Sequence, residues 1–476
     1  MAEQSLQDRD DDAAQAEDAG EAPHEAELHI EAAIEAIEAG DAARVHGLVD
    51  DLHPADFADL IGLLHEDHRL QLISLLGGKL PAEVLAELDW ALTEEVVSLM
   101  RPEAVAEAVA ELDTDDATFI LEDLDVDKRD AILARAPVVD RIAIAQALDY
   151  EEESAGRLMQ REVFAAPAYW TVGQIIDRMR GQEDLPDRFY EVFVVDPAYR
   201  PIGAVPLSTL LKTGRDVAIE TIMSDDIRLV PVAMDQEDVA YLFEQYNLIS
   251  APVVEDSGRL VGMITVDDVV EIVHEEAHED MFALAGVEAD TGLQDSVLET
   301  VRSRFSWLAV NLGTAILASI VISMFDAAIE QVVALAVLMP IVASMGGNAG
   351  TQTLTVAVRS IATRDLTASN AARIIWREAL VGGLNGFLFA LIMGALAGAW
   401  YAANGAGDGD ALRLGVVVGV AMIVNLLAAG LAGILVPLGL QRAGADPAVS
   451  SAVFVTTVTD IVGFFVFLGL AATVLL

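Results

Sequence analysis

The chain has 476 residues, 54% of them hydrophobic, yet its net charge is −50. That acidity argues against nucleic acid as a partner, because phosphates would be repelled, and favours cations. The absence of cysteine excludes disulfides, thiolate metal sites and cysteine nucleophiles.

The charge is segregated. From position 301 onward acidic and basic residues balance, about eight of each, so the excess lies in the first 300 residues. An acidic soluble portion is therefore joined to a near-neutral apolar one, within a length that allows roughly two to four domains. A halophilic, solvated surface is the plain alternative for part of the excess, since lysine is scarce. It does not account for acids that cluster.

Residues 1–27 are rich in Asp, Glu, Ala and Gln without apolar periodicity and read as a disordered acidic tail. No apolar h-region occurs there, so no cleavable signal peptide is expected. Over residues 28–147 short amphipathic stretches alternate with Pro, Gly or Asp, predicting an all-α superhelical N domain. His53-Pro54 and Arg101-Pro102 open helices with proline in the first turn. Leu52 to Leu64 resembles Leu112 to Leu124 at an offset of about 60 residues, as stacked helical hairpins would produce.

Residues 148–280 alternate strands with helices and contain a clearer repeat. Val194-Val195-Asp196 followed by Arg200-Pro201-Ile202-Gly203-Ala204-Val205 matches Val253-Val254-Glu255 followed by Arg259-Leu260-Val261-Gly262-Met263-Ile264. Leu158-Met159 and Ile222-Met223 open the two copies, and the first carries extra residues around Gly181–Asp187. This resembles a tandem pair of CBS domains, an α/β regulatory module that often binds adenine nucleotides. The resemblance implies Thr265 and Asp268 at a ribose-contacting turn, with ATP as a ligand; the first copy has Pro206 and no matching acid.

Residues 281–303 form a connection with an amphipathic segment over Gln294–Ser306, and 304–476 form an all-α transmembrane domain. Apolar stretches over 305–325, 331–358, 376–402, 413–440 and 449–476 are each long enough to cross a bilayer, which takes about 20 residues. Arg302 and Arg304 precede the first span. Arg359, Arg364, Arg373 and Arg377 separate the second from the third, and Arg442 precedes the fifth. The positive-inside rule then sets the N-terminus in the cytoplasm and the C-terminus outside, for a multi-pass protein of the cell membrane surrounded by lipid.

Polar residues at membrane depth are costly and mark function. Asp460, in Thr456-Thr457-Val458-Thr459-Asp460, is the carboxylate well inside a span, and no Lys, Arg or His lies at comparable depth to pair with it. In an oligomer, symmetry would bring such carboxylates to one axis, where a hydrated divalent cation relieves their repulsion. The second span holds Pro340 and Gly346-Gly347-Asn348-Ala349-Gly350-Thr351-Gln352 inside an apolar run. That pattern fits either an interrupted helix lining a cavity or close packing through small residues. Asn311 and Asn425 are weaker candidates, read as packing hydrogen bonds.

These two motifs, and the order of helical domain, CBS pair, connecting helix and five spans, resemble the MgtE family of magnesium channels. The resemblance covers nearly the whole chain. It implies a homodimeric Mg2+-selective channel with its pore on the dimer axis, Asp460 as the pore carboxylate, and Thr456 and Asn348 nearby. Ala452-Val453 departs from the family pattern of a small or polar residue before proline.

Asp267, Glu271, Glu275 and Glu279 recur every four residues, so they share one helix face, where like charges repel. A solvated acidic face is the ordinary reading. The family resemblance implies instead a regulatory Mg2+ cluster drawing on Asp267, Glu275, Glu276, Glu279 and Asp280, bridging this helix, the CBS pair and the N domain and holding the pore shut. His278 interrupts the acidic run.

Other readings are a CBS-regulated transporter of Co2+, Ni2+ or Mn2+, an ion-coupled carrier, and a membrane-anchored scaffold. An anion pathway should present cationic groups at depth, whereas Asp460 presents the opposite charge. No nucleophile–base constellation or metal-hydrolase spacing points to an enzyme.

Overall fold

The computed structural model describes residues 30–122, 124–181, 185–186, 188–287, 297–449 and 451–476. The expected acidic tail, most of the insertion after Gly181 and the start of the amphipathic segment at Gln294 lie outside these residues. The chain divides into two units, one ending at Ile272 and one beginning at Val273.

The first unit opens with short helices, from 30–38 and Ala42–Val49 through to Val138–Ala147. Local chemistry starts several of them. Asp41 accepts from the backbone N of Arg44 at 3.1 Å, and His53 Nδ1 accepts from the N of Ala55 ahead of Pro54–Leu63. Pro54 and Pro102 occupy first-turn positions, where their missing N–H costs nothing. Pro54–Leu63 followed by Glu66–Leu75, and Thr114–Glu122 followed by Val126–Leu133, are corresponding helix pairs of the repeat. Ile37, Ile61, Leu64, Leu72, Leu85, Ile120 and Leu121 pack into one continuous core. Arg69 is buried there because its charge is fully engaged. Nε and Nη2 donate to Glu95 at 2.9 and 2.6 Å, and Nη1 donates to the Leu64 carbonyl at 2.6 Å.

Two equivalent three-stranded sheets follow. β1 (Ala165–Pro167), β2 (Glu191–Val195) and β3 (Pro201–Pro206) form the first; β4 (Val230–Pro231), β5 (Ser250–Val254) and β6 (Leu260–Thr265) form the second. In each, the first strand pairs parallel to the second, which pairs antiparallel to the third, with an irregularity at Val194/Val195 and again at Val253/Val254. The Met pairs that open the copies cross between them. Gln160, after Met159, bridges Met263 in β6, while Ser224, after Met223, bridges Ala204 in β3. Gly203 and Gly262 permit this, since a Cβ there would lie 2.7 Å from the Ser224 carbonyl and 2.5 Å from that of Gln160. Each copy thus completes the other's core.

Helix Val266–Ala285 leaves β6 directly. In the second unit its end, at Ala283 and Leu284, packs on Leu354, Val358, Ala432, Ala448 and Val455. Five helices are long and apolar enough to cross a membrane: Thr300–Ser323, Ala334–Ala362, Ala371–Ala403, Asp408–Arg442 and Ala452–Val474. Together these features make a multi-pass membrane protein with a helical N domain and a CBS pair. The fourth span is the most buried and packs against the second, third and fifth. Glycines make its contact with the third span close: a Cβ on Gly415 would lie 2.6 Å from the Gly394 carbonyl.

Of the two readings of the second span, the interrupted helix is not what forms. Ala334–Ala362 is a continuous helix containing Pro340. Its glycines serve packing instead: Gly346 abuts Asn425 of the fourth span, and Gly350 abuts Val455 of the fifth.

Candidate functional site

Polar groups collect where the second and fifth spans meet. Thr456 and Asp460 are one turn apart on the fifth span, hence on one face. The Thr456 methyl faces Gly347, next to Asn348, and Thr459 faces Gly350. Thr456, Thr457 and Thr459 turn their hydroxyls back onto their own helix, donating to the carbonyls of Ala452 and Val453, of Val453, and of Thr456. Asp460 is half-buried, and its carboxylate has no hydrogen-bond or salt-bridge partner among the described residues.

Ser344, Asn348, Thr351, Gln352 and Thr355 recur along one exposed face of the second span. Thr351 and Thr355 donate to the carbonyls of Gly347 and Thr351, whereas Asn348 and Gln352 keep their amides unengaged among the described residues. Asn425 is fully buried and donates through Nδ2 to the Val342 carbonyl at 2.8 Å. Asn311 is exposed on the first span.

The acidic helix divides by face. Asp267, Glu271, Glu275 and Glu279 are exposed, while Glu276 and Asp280, one turn apart, are half-buried. Burial and the nearby charge of Asp446, in the segment before the fifth span, raise the Asp280 carboxyl above its ordinary value. His278 stacks on Phe282 with ring centroids 4.4 Å apart.

A second acidic group was not among the residues singled out from sequence. The N-terminal turn of helix Thr114–Glu122 is anchored on the CBS pair: the Thr114 backbone N and hydroxyl donate to Glu162 at 3.2 and 2.7 Å. Nearby, Arg157 donates to Glu122 at 3.3 Å. That anchoring brings Asp115 and Asp116 close to Asp268, with Asp113 and Glu271 in range. Burial first, then the charges of Asp268, Asp116 and Asp113, holds the Asp115 carboxyl well above the usual range. Its Oδ1 is buried without a hydrogen-bond partner among the described residues. Asp116 is pushed up to about 7, chiefly by burial and by Asp268. Asp268 is raised to about 6 by burial, against two opposing hydrogen bonds from Thr265.

Those bonds make Thr265-Val266-Asp267-Asp268 a helix-capping arrangement. Thr265 donates to Asp268 Oδ2 from its backbone N at 3.1 Å and from its hydroxyl at 2.8 Å. Thr265 and Asp268, the candidate nucleotide residues, therefore engage each other at the edge of the acidic group. Among the described residues no three His, Asp or Glu side chains are grouped so as to hold a metal ion directly. Burying mutually repelling carboxylates without a cation partner is nevertheless unfavourable, so the Asp115, Asp116 and Asp268 group has the chemistry of a site for a hydrated divalent cation.

Comparison with known proteins gives three matching family models along the chain: the MgtE divalent cation transporter over residues 339–470, the MgtE intracellular N domain over 52–153, and the CBS domain over 219–275. A magnesium transporter MgtE of Thermus thermophilus is 30% identical over 446 residues, spanning 93% of this chain and 97% of that one. The chain belongs to the MgtE family. A magnesium transporter MgtE of Enterococcus faecalis is 32% identical, over 69% of this chain and 71% of its own length. A solved cytosolic domain of the Mg2+ channel MgtE in complex with ATP is 29% identical, with a TM-score of 0.47 over 51% of this chain and 99% of that one. The MgtE transporter match takes in both motifs at membrane depth, Gly346 to Gln352 and Thr456 to Asp460.

Proposed function

We propose that this MgtE protein is a Mg2+-selective channel for magnesium influx, held shut when cytosolic Mg2+ occupies sites on its acidic N and CBS domains. The observation that carries the conduction reading is Asp460, a carboxylate at membrane depth with no partner among the described residues, on the helix that packs along the glycines of the second span. A carboxylate in that position is costly unless it faces water or a cation. The exposed polar face of the second span supports a homodimer with this face on a common axis, since facing lipid would leave the amides of Asn348 and Gln352 unsatisfied.

An ion that keeps its waters suits the site. Mg2+ dehydrates reluctantly, and the carboxylate of Asp460, the hydroxyl of Thr456 and the amide carbonyl of Asn348 all accept hydrogen bonds from its hydration shell. The relatives' names support Mg2+ over Co2+, Ni2+ or Mn2+ as the transported ion. The arginines flanking the spans support a cytoplasmic N-terminus and an outside C-terminus. Transport, rather than an enzymatic reaction, is the activity of this reading.

Gating is assigned to the acids. Within each of two sets, Asp115, Asp116 and Asp268, and Asp267, Glu275, Glu276, Glu279 and Asp280 along helix Val266–Ala285, the carboxylates repel one another without a divalent ion. Mg2+ shifts the balance only by binding the closed arrangement more tightly than the open one. ATP is proposed as a further ligand of the CBS pair beside Thr265 and Asp268.

The test is Mg2+ flux into liposomes holding the purified chain, with Asp460→Ala and Asp460→Asn in parallel and cytoplasmic-side Mg2+ varied. Wild type should conduct and be inhibited by cytoplasmic-side Mg2+, and both substitutions should lose flux or ion preference. Unchanged preference in Asp460→Ala would remove Asp460 from the pore.

A further inference from the structure

We infer that Asn425 is the positioning residue that sets the spacing of the second and fifth spans, and through it the ion preference of the pathway. The inference rests on the proposed role of Asp460. Asn425 lies on the fourth span, fully buried, yet its Oδ1 has no hydrogen-bond partner among the described residues. A leucine at such a position would leave no polar atom unsatisfied in the interior of the spans. What the amide supplies is a single tie, from Nδ2 to the Val342 carbonyl on the second span at 2.8 Å.

The amide also occupies a slot made by two glycines on different spans. A Cβ at Gly346 would overlap Asn425, and a Cβ at Gly463 would lie 2.8 Å from its Nδ2 and 3.2 Å from its Oδ1. Gly346 stands two residues before Asn348, and Gly463 stands three residues after Asp460. One side chain of the fourth span therefore touches, at a single level, both helices that carry the polar groups of the pathway. The spacing therefore depends on that one hydrogen bond, which holds the second span to the fourth while the planar amide is seated in the slot. Removing it lets the second and fifth spans shift against each other, and the hydrated ion that the polar groups accommodate changes with them.

The experiment measures Mg2+ and Ca2+ flux in liposomes at matched amounts of reconstituted, folded protein. Asn425→Ala, Asn425→Ser and Gly463→Ala are compared with wild type, with Asp460→Asn as a parallel arm. We expect each of the first three to raise the Ca2+-to-Mg2+ flux ratio at least tenfold. The double variant Asn425→Ala with Gly346→Ala refills the slot without restoring the hydrogen bond, and should keep the altered ratio while recovering thermal stability.

A ratio within twofold of wild type in Asn425→Ala and Asn425→Ser, with only total flux reduced, overturns the inference. So does a wild-type ratio in the double variant, which would make Asn425 a filler of space. Failure of all the Asn425 and Gly463 variants to yield folded protein would likewise assign the residue to folding alone. If Asp460→Asn alters the ratio and the Asn425 variants do not, only this inference falls. If Asp460→Asn leaves it unchanged, the pore reading itself falls.

Discussion

Asp268 accepts both the backbone N–H and the hydroxyl of Thr265, at 3.1 and 2.8 Å, while facing Asp115 and Asp116 of the N domain. Asp268, in the first turn of helix Val266–Ala285, is thus also the CBS contribution to the buried acidic group. A hydrogen bond to a charged group contributes about 1.5–3 kcal/mol, so Thr265→Val should make the Asp268 carboxylate harder to maintain. The expected outcome is a roughly tenfold weaker Mg2+ requirement curve for protection of the chain from proteolysis, at unchanged helix content. An unshifted curve would separate Asp268 from Mg2+ sensing.

The pH dependence of that docking has a definite sign. Asp116 at about 7 and Asp268 at about 6 are raised carboxyls, so the docked state holds protons that the undocked state has released. Without Mg2+ their contribution favours docking fully below the ordinary carboxylate pKa near 4, and it is lost as pH rises through about 6 and 7. Proteolysis in chelator should therefore cut between the domains faster at pH 8 than at pH 5.5. Mg2+, which binds the ionised form, should restore protection at pH 8. Asp116→Asn should flatten both the pH and the Mg2+ dependence.

Arg69, buried in the N domain core, pairs with the partly exposed Glu95. Arg69→Ala leaves the Leu64 carbonyl without a donor and Glu95, which water still reaches, without its partner, a loss of about 1–3 kcal/mol. The thermal midpoint of the N domain should fall in calorimetry of the whole chain, while the transition of the membrane spans stays in place. If sensing resides in the N domain, inhibition of flux by cytoplasmic-side Mg2+ should weaken in parallel.

Gly415 of the fourth span has the Gly394 carbonyl 2.6 Å from the position of a Cβ. Gly415→Val must therefore push the third and fourth spans apart. Overpacking of this kind costs about 1–3 kcal/mol. A lower thermal midpoint in detergent is expected, with the Ca2+-to-Mg2+ ratio unaltered because Gly415 faces the third span, which carries none of the proposed pathway residues, and lies more than two helical turns from Asn425.

Hydropathy marked the five spans, because a segment that crosses lipid must be apolar along its whole length and that demand is local. The CBS repeat was equally visible, since two copies of one strand–turn–strand pattern keep their spacing in sequence. Asp460 stood out for the same reason, as a charge where the solvent is hydrocarbon. Asp115 and Asp116 did not. Acids in the first turn of a helix are ordinary partners of its dipole, so nothing local distinguishes them.

Only the tertiary structure decided which charges meet. Asp115 and Asp268 lie far apart in the chain and come together because Glu162 receives Thr114. It also decided the use of the glycines in the second span. Composition allowed either a broken helix or close packing, and the facing residues Asn425 and Val455, supplied by other spans, settled it as close packing in a continuous helix. Sequence determines what each segment can bury; which groups become neighbours depends on contacts between segments that no local pattern encodes.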